Sequence, residues 1–449
     1  MAPGGAAGWV WALPVVGVHI ALWWLGDLGA RLGSALVVWS LGLVWLAVIV
    51  RRRRGGPCVA PVVVLAVAAL SRLLLVPLAP TLSDDVRRYL WDGRVAAAGR
   101  DPYVLAPDAP ELADLRDAEW EEVAHRDIAT VYPPLAVTLF SIAARLPHPL
   151  LSWKLLLVVV DWTTCLLLVR LATRHGLPVE RTIWYAWNPL VTTEVAGMGH
   201  VDALGVAAAV ATVLLLEKRG RPVLAPVAAA GAAVLAKLVP VVAVPWWARA
   251  SGSPRRFAAG VAGLVTIGLA PVVWHAGGVP PGLRTYAVSW EFDGPLFEPL
   301  WRLLDHSGAA GLVHALLDHL KLWTGAHEFW NAWYPWAYPQ LLAKILLLLG
   351  FAAVCVHGWR RRREPIAASG WVFGSVLLFS ATVYPWYLLW VLPWAALALH
   401  EAWLALSGLV LLSYLPRHAG LELFPAVYGA IWLPFASIWL LRRSQWSIG

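Results

Sequence analysis

Gly33–Val50, GSALVVWSLGLVWLAVIV, followed at once by Arg51-Arg52-Arg53-Arg54, is the stretch whose reading decides the fold. The run carries no charge until four arginines stop it. A helix needs about 20 such residues to cross a bilayer core. The apolar character is continuous rather than alternating, which selects a helix over a barrel strand, and a helix satisfies its own backbone in lipid. The pattern recurs outward in both directions, at 9–26, 58–79, 150–171, 182–196, 201–216, 222–236, 238–248, 257–276, 335–357, 366–383, 386–399, 402–415 and 424–441. The whole chain is 60% hydrophobic and 14% charged, against roughly 25% charged in soluble domains. The expected fold class is therefore an all-α polytopic membrane protein, one membrane domain over 1–449. Several runs fall short of a full crossing, so the expectation is about 10–14 transmembrane helices.

The basic clusters orient the chain. Arg51 to Arg54 follow the second run, Arg170, Arg174 and Arg181 the fourth, and Lys218, Arg219 and Arg221 the sixth. Arg249, Arg255 and Arg256 follow the eighth, Arg360 to Arg363 the tenth, and Arg442 and Arg443 the last. Every cluster follows an even-numbered run, so one orientation, with both termini cytoplasmic, puts them all inside. The net charge of +8 is accounted for by these clusters and gives no nucleic-acid signature. Two long segments then lie outside: 80–149, the expected extracytoplasmic catalytic loop and the densest in acidic residues, and 277–334. Cys58, Cys165 and Cys355 sit in or beside apolar runs without metal or disulfide spacing. The first run has no charged leader before it and reads as a retained span.

The first outer segment opens with Ser83-Asp84-Asp85 and continues Arg87-Arg88-Tyr89-Leu90-Trp91-Asp92-Gly93, then Gly99-Arg100-Asp101-Pro102-Tyr103. Two adjacent carboxylates at a membrane surface suit general-base work, or a divalent cation such as Mg2+ or Mn2+. Arg87 and Arg88 suit a phosphate, or neutralise the carboxylates. The structural alternative is a cap, with Ser83 or Asp84 accepting backbone N–H groups at a helix start. Val131-Tyr132-Pro133-Pro134-Leu135 opens an apolar stretch too short to cross, expected as a helix on the outer membrane surface. A second polar set comprises Asn188-Pro189, Glu194 and Gly197-Met198-Gly199-His200-Val201-Asp202. Ionisable residues at such depth are functional candidates because burying them is costly; the alternative is an outer turn capped by Asp202. No paired histidine spacing supports zinc. Lys237 stands between short apolar halves before Pro240, where a broken helix lines a polar cavity or the lysine snorkels. Of the 30 Trp, an interfacial belt explains most. Trp290-Glu291-Phe292-Asp293-Gly294 with Trp301, and Tyr384-Pro385-Trp386-Tyr387 with Trp390 and Trp394, offer platforms for a sugar ring or a prenyl chain.

Taken in order from about residue 60 to 395, these motifs resemble the GT-C superfamily of membrane glycosyltransferases. The likeness is greatest to bacterial polyprenol-phosphate-mannose-dependent mannosyltransferases. It implies surface-lying helices in the first outer loop and inverting transfer of a sugar, mannose first, from a polyprenyl-phosphate donor. The acceptor would be a lipid-linked or cell-envelope glycan, outside the inner (plasma) membrane. It implies Asp84 as general base with Asp85 in support, although relatives vary between one and two acidic residues here. Lys237, Arg87 and Arg88 would hold the donor phosphate. Glu194, His200, Asp202, Tyr132, Tyr384, Trp386 and Tyr387 would meet sugar or acceptor. Metal use differs across the superfamily, so a divalent cation at Asp84 and Asp85 is left open. The rival readings are a transporter or flippase of a lipid-linked saccharide, and a catalytically idle scaffold.

Overall fold

The computed structural model describes residues 5–52, 59–217, 223–361, 364–442 and 446. Cys58, Arg53, Arg54, Lys218, Arg219, Arg221, Arg362, Arg363 and Arg443 lie outside the described residues. The described chain is helical, and its strand-like pairing is confined to isolated bridges from Phe292 and Asp293 to Thr382. In chain order the main helices are α1 (Gly5–Leu25), α2 (Leu32–Arg52), α3 (Pro61–Leu75), α4 (Asp85–Ala97), α5 (Pro134–Ala144) and α6 (Pro149–Arg174). Then come α7 (Asp202–Leu216), α8 (Leu224–Ala236), α9 (Pro254–His275), α10 (Pro339–Arg361), α11 (Pro365–Phe379) and α12 (Phe424–Arg442). Six of these, α1, α2, α6, α9, α10 and α12, are long and apolar enough to cross a bilayer. The protein is a multi-pass membrane protein.

Several expected spans are broken. Run 182–196 becomes a 3-10 turn, two single-turn helices (Ile183–Ala186, Pro189–Thr192) and a π turn (Thr193–Gly197). Pro189 lacks the N–H a continuous ladder needs, and Asn188 Oδ1 caps the restart by accepting Leu190 N–H at 3.0 Å. Run 238–248 divides into a 3-10 turn, Val239–Ala243, and a short helix, Val244–Ala250, each with a proline in its first turn. Run 386–399 begins as a 3-10 turn, Pro385–Trp390. Broken backbone is tolerated at membrane depth where protein surrounds it, and these pieces are mostly buried.

Buried polar pairs tie the pieces together. Arg72 on α3 meets Asp161 on α6 at 2.6 Å with neither side chain exposed. Arg72 also donates to the Ala186 carbonyl at 2.8 Å, and Tyr185 donates to Asp161 at 2.5 Å. Removing one partner of such a pair strands a charge, at a cost of roughly 3–5 kcal/mol. Lys154, at the start of α6, donates to the carbonyls of Val76 and Leu78 beyond the end of α3.

Tryptophan is used more in the core than a belt requires: Trp39, Trp153, Trp187, Trp247, Trp394 and Trp403 are fully buried. The helix ends sort by chemistry. Arg174 reaches Glu217 at 3.4 Å, Arg249 donates to the Trp359 carbonyl, and Arg442 meets Glu401 at 3.1 Å. Away from these basic ends, where α4 and α5 begin and where α8 and α11 stop, lies a cavity.

Candidate active site

Helix α4 starts the site. Ser83 Oγ accepts the Asp85 N–H at 3.3 Å, while Asp84, at the cap position, makes no capping bond with its side chain. The cap reading thus falls to Ser83 and leaves both carboxylates free for other work. Across α4 lies α5, with the rings of Tyr89 and Phe140 stacked 4.9 Å apart. The expected surface helix buries Ala136, Val137 and Phe140 in this packing. Contact is so close at Gly93 that a Cβ there would overlap the Phe140 carbonyl.

The cavity has a volume of about 590 Å3. Its polar wall carries Asp84, Asp85, Arg88, Lys237 and Arg417, and its apolar wall Leu238, Leu283, Phe373, Val376 and Leu377. Tyr132, Tyr286, Trp290, Tyr384, Trp386 and Tyr387 supply rings. Asp84 pairs with Arg417 at 3.0 Å. Asp85 accepts from Tyr89 OH at 3.3 Å, and its side chain keeps 31% of its surface open. Enclosure by protein pushes the Asp85 carboxyl above its ordinary value; His200 and Lys237 pull it down, and the Asp84 charge pushes it up.

Behind Asp85 runs a buried chain of groups. His200 Nδ1 lies 3.7 Å from Asp85 Oδ2, and Nε2 lies 3.2 Å from Glu194 Oε2. Neither approach is aligned as a hydrogen bond. Tyr414 OH donates to Glu194 Oε1 at 2.8 Å. The π turn is what brings Glu194 and His200 together: the His200 N–H bonds the Glu194 carbonyl at 3.0 Å. Gly199 between them takes φ +81° and faces Val86 and Trp153, so a side chain there would meet both strain and a tight neighbour. His200 stacks on Trp386 at 3.9 Å, Trp386 on Tyr384 at 4.6 Å, and Tyr384 on Phe292 at 4.7 Å.

Residues 2–251 match the family described as alpha-(1->6)-mannopyranosyltransferase, N-terminal domain. Residues 130–385 match glycosyltransferase family 87. Each match spans more than half of the 449 residues. The chain belongs to these membrane glycosyltransferases, of the GT-C, mannosyltransferase-like kind. No curated protein and no solved structure matches it. The match selects sugar transfer over transport as the class of activity.

Of the residues expected at the transferase site, Asp84, Asp85, Lys237, Arg88, Tyr132, Tyr384, Trp386 and Tyr387 line the cavity. Four do not. Arg87 turns to Glu122 at 2.5 Å and does not line the cavity. Glu194, His200 and Asp202 are fully buried behind the wall rather than open to a sugar. Asp202 is not a cap either: it takes Lys237 Nζ at 2.8 Å and Trp390 Nε1 at 2.7 Å. Arg88 lines the cavity but is engaged, by Asp92 at 2.8 Å and by the carbonyls of His125 and Ile128 at 2.9 and 2.6 Å. Lys237 stands in extended backbone between two helical pieces, as the broken-helix reading requires. Arg417, Tyr414, Tyr286 and His125 were not anticipated. A basic residue apart from the arginine clusters at the helix ends was the available sign of Arg417.

Among the described residues no three His, Cys, Asp or Glu side chains gather as a metal site. Asp84 is held by Arg417 and Asp85 faces Tyr89, so the pair does not form a cation site as it stands. Cys165 and Cys355 are free thiols.

Proposed function

We propose that the transferase moves mannose from a polyprenyl-phosphate donor to a lipid-linked or cell-envelope glycan, with inversion, on the outer side of the plasma membrane. One observation carries the reading: a single cavity joins an acid–base wall to an apolar wall, with cations beside both carboxylates. A donor with a charged phosphate head and a prenyl tail has the same two-sided chemistry.

In this mechanism Asp85 is the base. Its raised carboxyl supports that choice over Asp84, which Arg417 engages. An acceptor hydroxyl gives its proton to Asp85 while its oxygen attacks the anomeric carbon. The bond from that carbon to the phosphate oxygen breaks on the opposite face, and prenyl phosphate leaves with the electron pair. The configuration inverts. Lys237 and Arg417 are the cavity cations placed to answer the charge growing on phosphate. His200 and Glu194 position Asp85 from behind; long contacts of this kind in an empty site commonly tighten when substrate binds. Tyr384 and Trp386 hold the sugar ring.

Sidedness rests on the basic ends lying opposite the cavity. Cysteine in place of the exposed Asp108 should react with an impermeant reagent in intact cells. Reaction only after the membrane is opened would invert the orientation. For the chemistry, purified full-length protein is given polyprenyl-phosphate mannose and a glycolipid acceptor, and the product is read by mass spectrometry. Transfer from a nucleotide sugar but from no prenyl-phosphate sugar would overturn the donor assignment.

A further inference from the structure

Tyr414 and Arg417 lie within four residues of one another, beyond residue 385 and outside both regions that match known families. Yet this one segment touches both halves of the acidic centre. Tyr414 donates to Glu194, and Arg417 pairs with Asp84. The other cavity cations are differently placed. Arg88 is 10% exposed, and Asp92 and two close carbonyls take its donors. Lys237 is 19% exposed and meets both oxygens of the buried Asp202 at 2.8 Å. Pulling either cation toward a ligand would strand a buried acceptor. Arg417 keeps 55% of its side chain exposed, and its partner Asp84 keeps 37%, so that pair parts at little cost.

We propose that Arg417 is the principal ligand of the donor phosphate, and that the phosphate takes the place of Asp84 on its guanidinium. The planar fork suits two phosphate oxygens. The phosphodiester of the donor carries one negative charge and the prenyl phosphate that leaves carries up to two, so the contact strengthens along the reaction. Asp84 is then a placeholder that keeps Arg417 in position when the cavity is empty, and a competitor that helps discharge the product. This rests on the donor class proposed above but not on the identity of the sugar.

The test is binding of geranylgeranyl phosphate, with geranylgeraniol as the uncharged control, to the full-length protein in nanodiscs, alongside donor kinetics. Arg417→Gln should weaken the phosphate by roughly 10–100-fold, the range of a lost charge-assisted bond, and leave the alcohol unchanged. Arg417→Lys should recover part of the loss. Asp84→Asn should tighten the phosphate by removing its competitor, and this gain should vanish in the Arg417→Gln background. Equal weakening for phosphate and alcohol would reduce Arg417 to a structural role, and unchanged phosphate binding in Arg417→Gln would overturn the proposal. Wild-type protein that binds the phosphate through Arg417 but transfers no sugar would instead sink the functional reading alone.

Discussion

The two long segments 83–133 and 281–336 are held in different ways. Residues 83–133 are held by polar pairing: Arg88 to Asp92, Arg94 to Asp117 at 2.6 Å, Arg100 to Asp114 at 2.5 Å. The Trp120 ring meets the guanidinium groups of Arg116 and Arg126, at 4.6 and 4.4 Å. Residues 281–336 are held far less. Their longest helix, Ala309–Thr324, buries only Leu317 and leaves Leu312, Leu316, Leu322 and Trp323 exposed. A cavity wall needs side chains fixed from several directions, and the first segment supplies them. The second contributes Leu283, Tyr286 and Trp290 to the cavity, next to its two pinned points: Tyr286 to Tyr387 at 2.7 Å, and the isolated bridges from Phe292 and Asp293 to Thr382.

The sharpest way to break this contrast is at the first residue of α4. Asp85→Asn keeps the size of the side chain but removes the base, and turnover should fall by roughly 10²–10⁴-fold. The thermal midpoint should hold. Asp84→Asn should be milder, and the reverse ranking would return the base to Asp84. The pH profile gives an independent check. The base works ionised, so turnover is lost as pH falls through its folded value. Because burial raises that value, the acid limb should lie above the ordinary carboxylate range; a limb at or below it would count against Asp85.

Next in size is the pinning itself. Arg88→Gln leaves Asp92, 2% exposed, without its cation. Destabilisation of about 3–5 kcal/mol is expected, read by thermal unfolding in detergent. A change below 1 kcal/mol would mean the segment is not held this way.

A smaller effect of the opposite sign is expected in the second segment. Asp293 sits at φ +55° with its carboxyl buried and pushed up to about 7, against the donation from Trp432 that pulls it down. A raised folded value favours the fold fully below the unfolded value, and that support is lost as pH rises toward about 7. Asn tolerates this backbone and never ionises. Asp293→Asn should therefore raise the midpoint by a few degrees at pH 8, on the scale of about 1 kcal/mol, and much less at pH 5. Equal shifts at both pH values would point to packing instead. Smallest of all, Trp323→Ser should change turnover and stability by less than about 0.5 kcal/mol. A large loss of activity would show that the exposed helix does more for the site than its contacts suggest.

The fold class was legible because apolar runs and basic stops are local properties of the chain. So was α4, where Ser83-Asp84-Asp85 begins a helix, and so was the break at Lys237. What escaped the sequence was direction and distance. Arg87 and Arg88 are neighbours, but their side chains diverge, one to Glu122 and one to Asp92. Glu194, His200 and Asp202 read as ligands because buried charge is costly. Asp202 is met by Trp390 and Lys237, and one Glu194 oxygen by Tyr414, which lie up to 220 residues away, while His200 stacks on Trp386. The π turn that makes this possible has no sequence pattern of its own. Arg417 sits in a short helix, Leu415–Ala419, where nothing local announces a partner more than 300 residues earlier.

Gly93 touches no substrate in any of this, yet it sets how near α4 and α5 can come. Any larger residue would drive the two helices apart, and the cavity carries Asp85 at the start of one and Pro133 at the start of the other. The width of the opening is thus written at a position two turns away from it. The distance between the starts of the two helices is fixed by a contact of bare backbone.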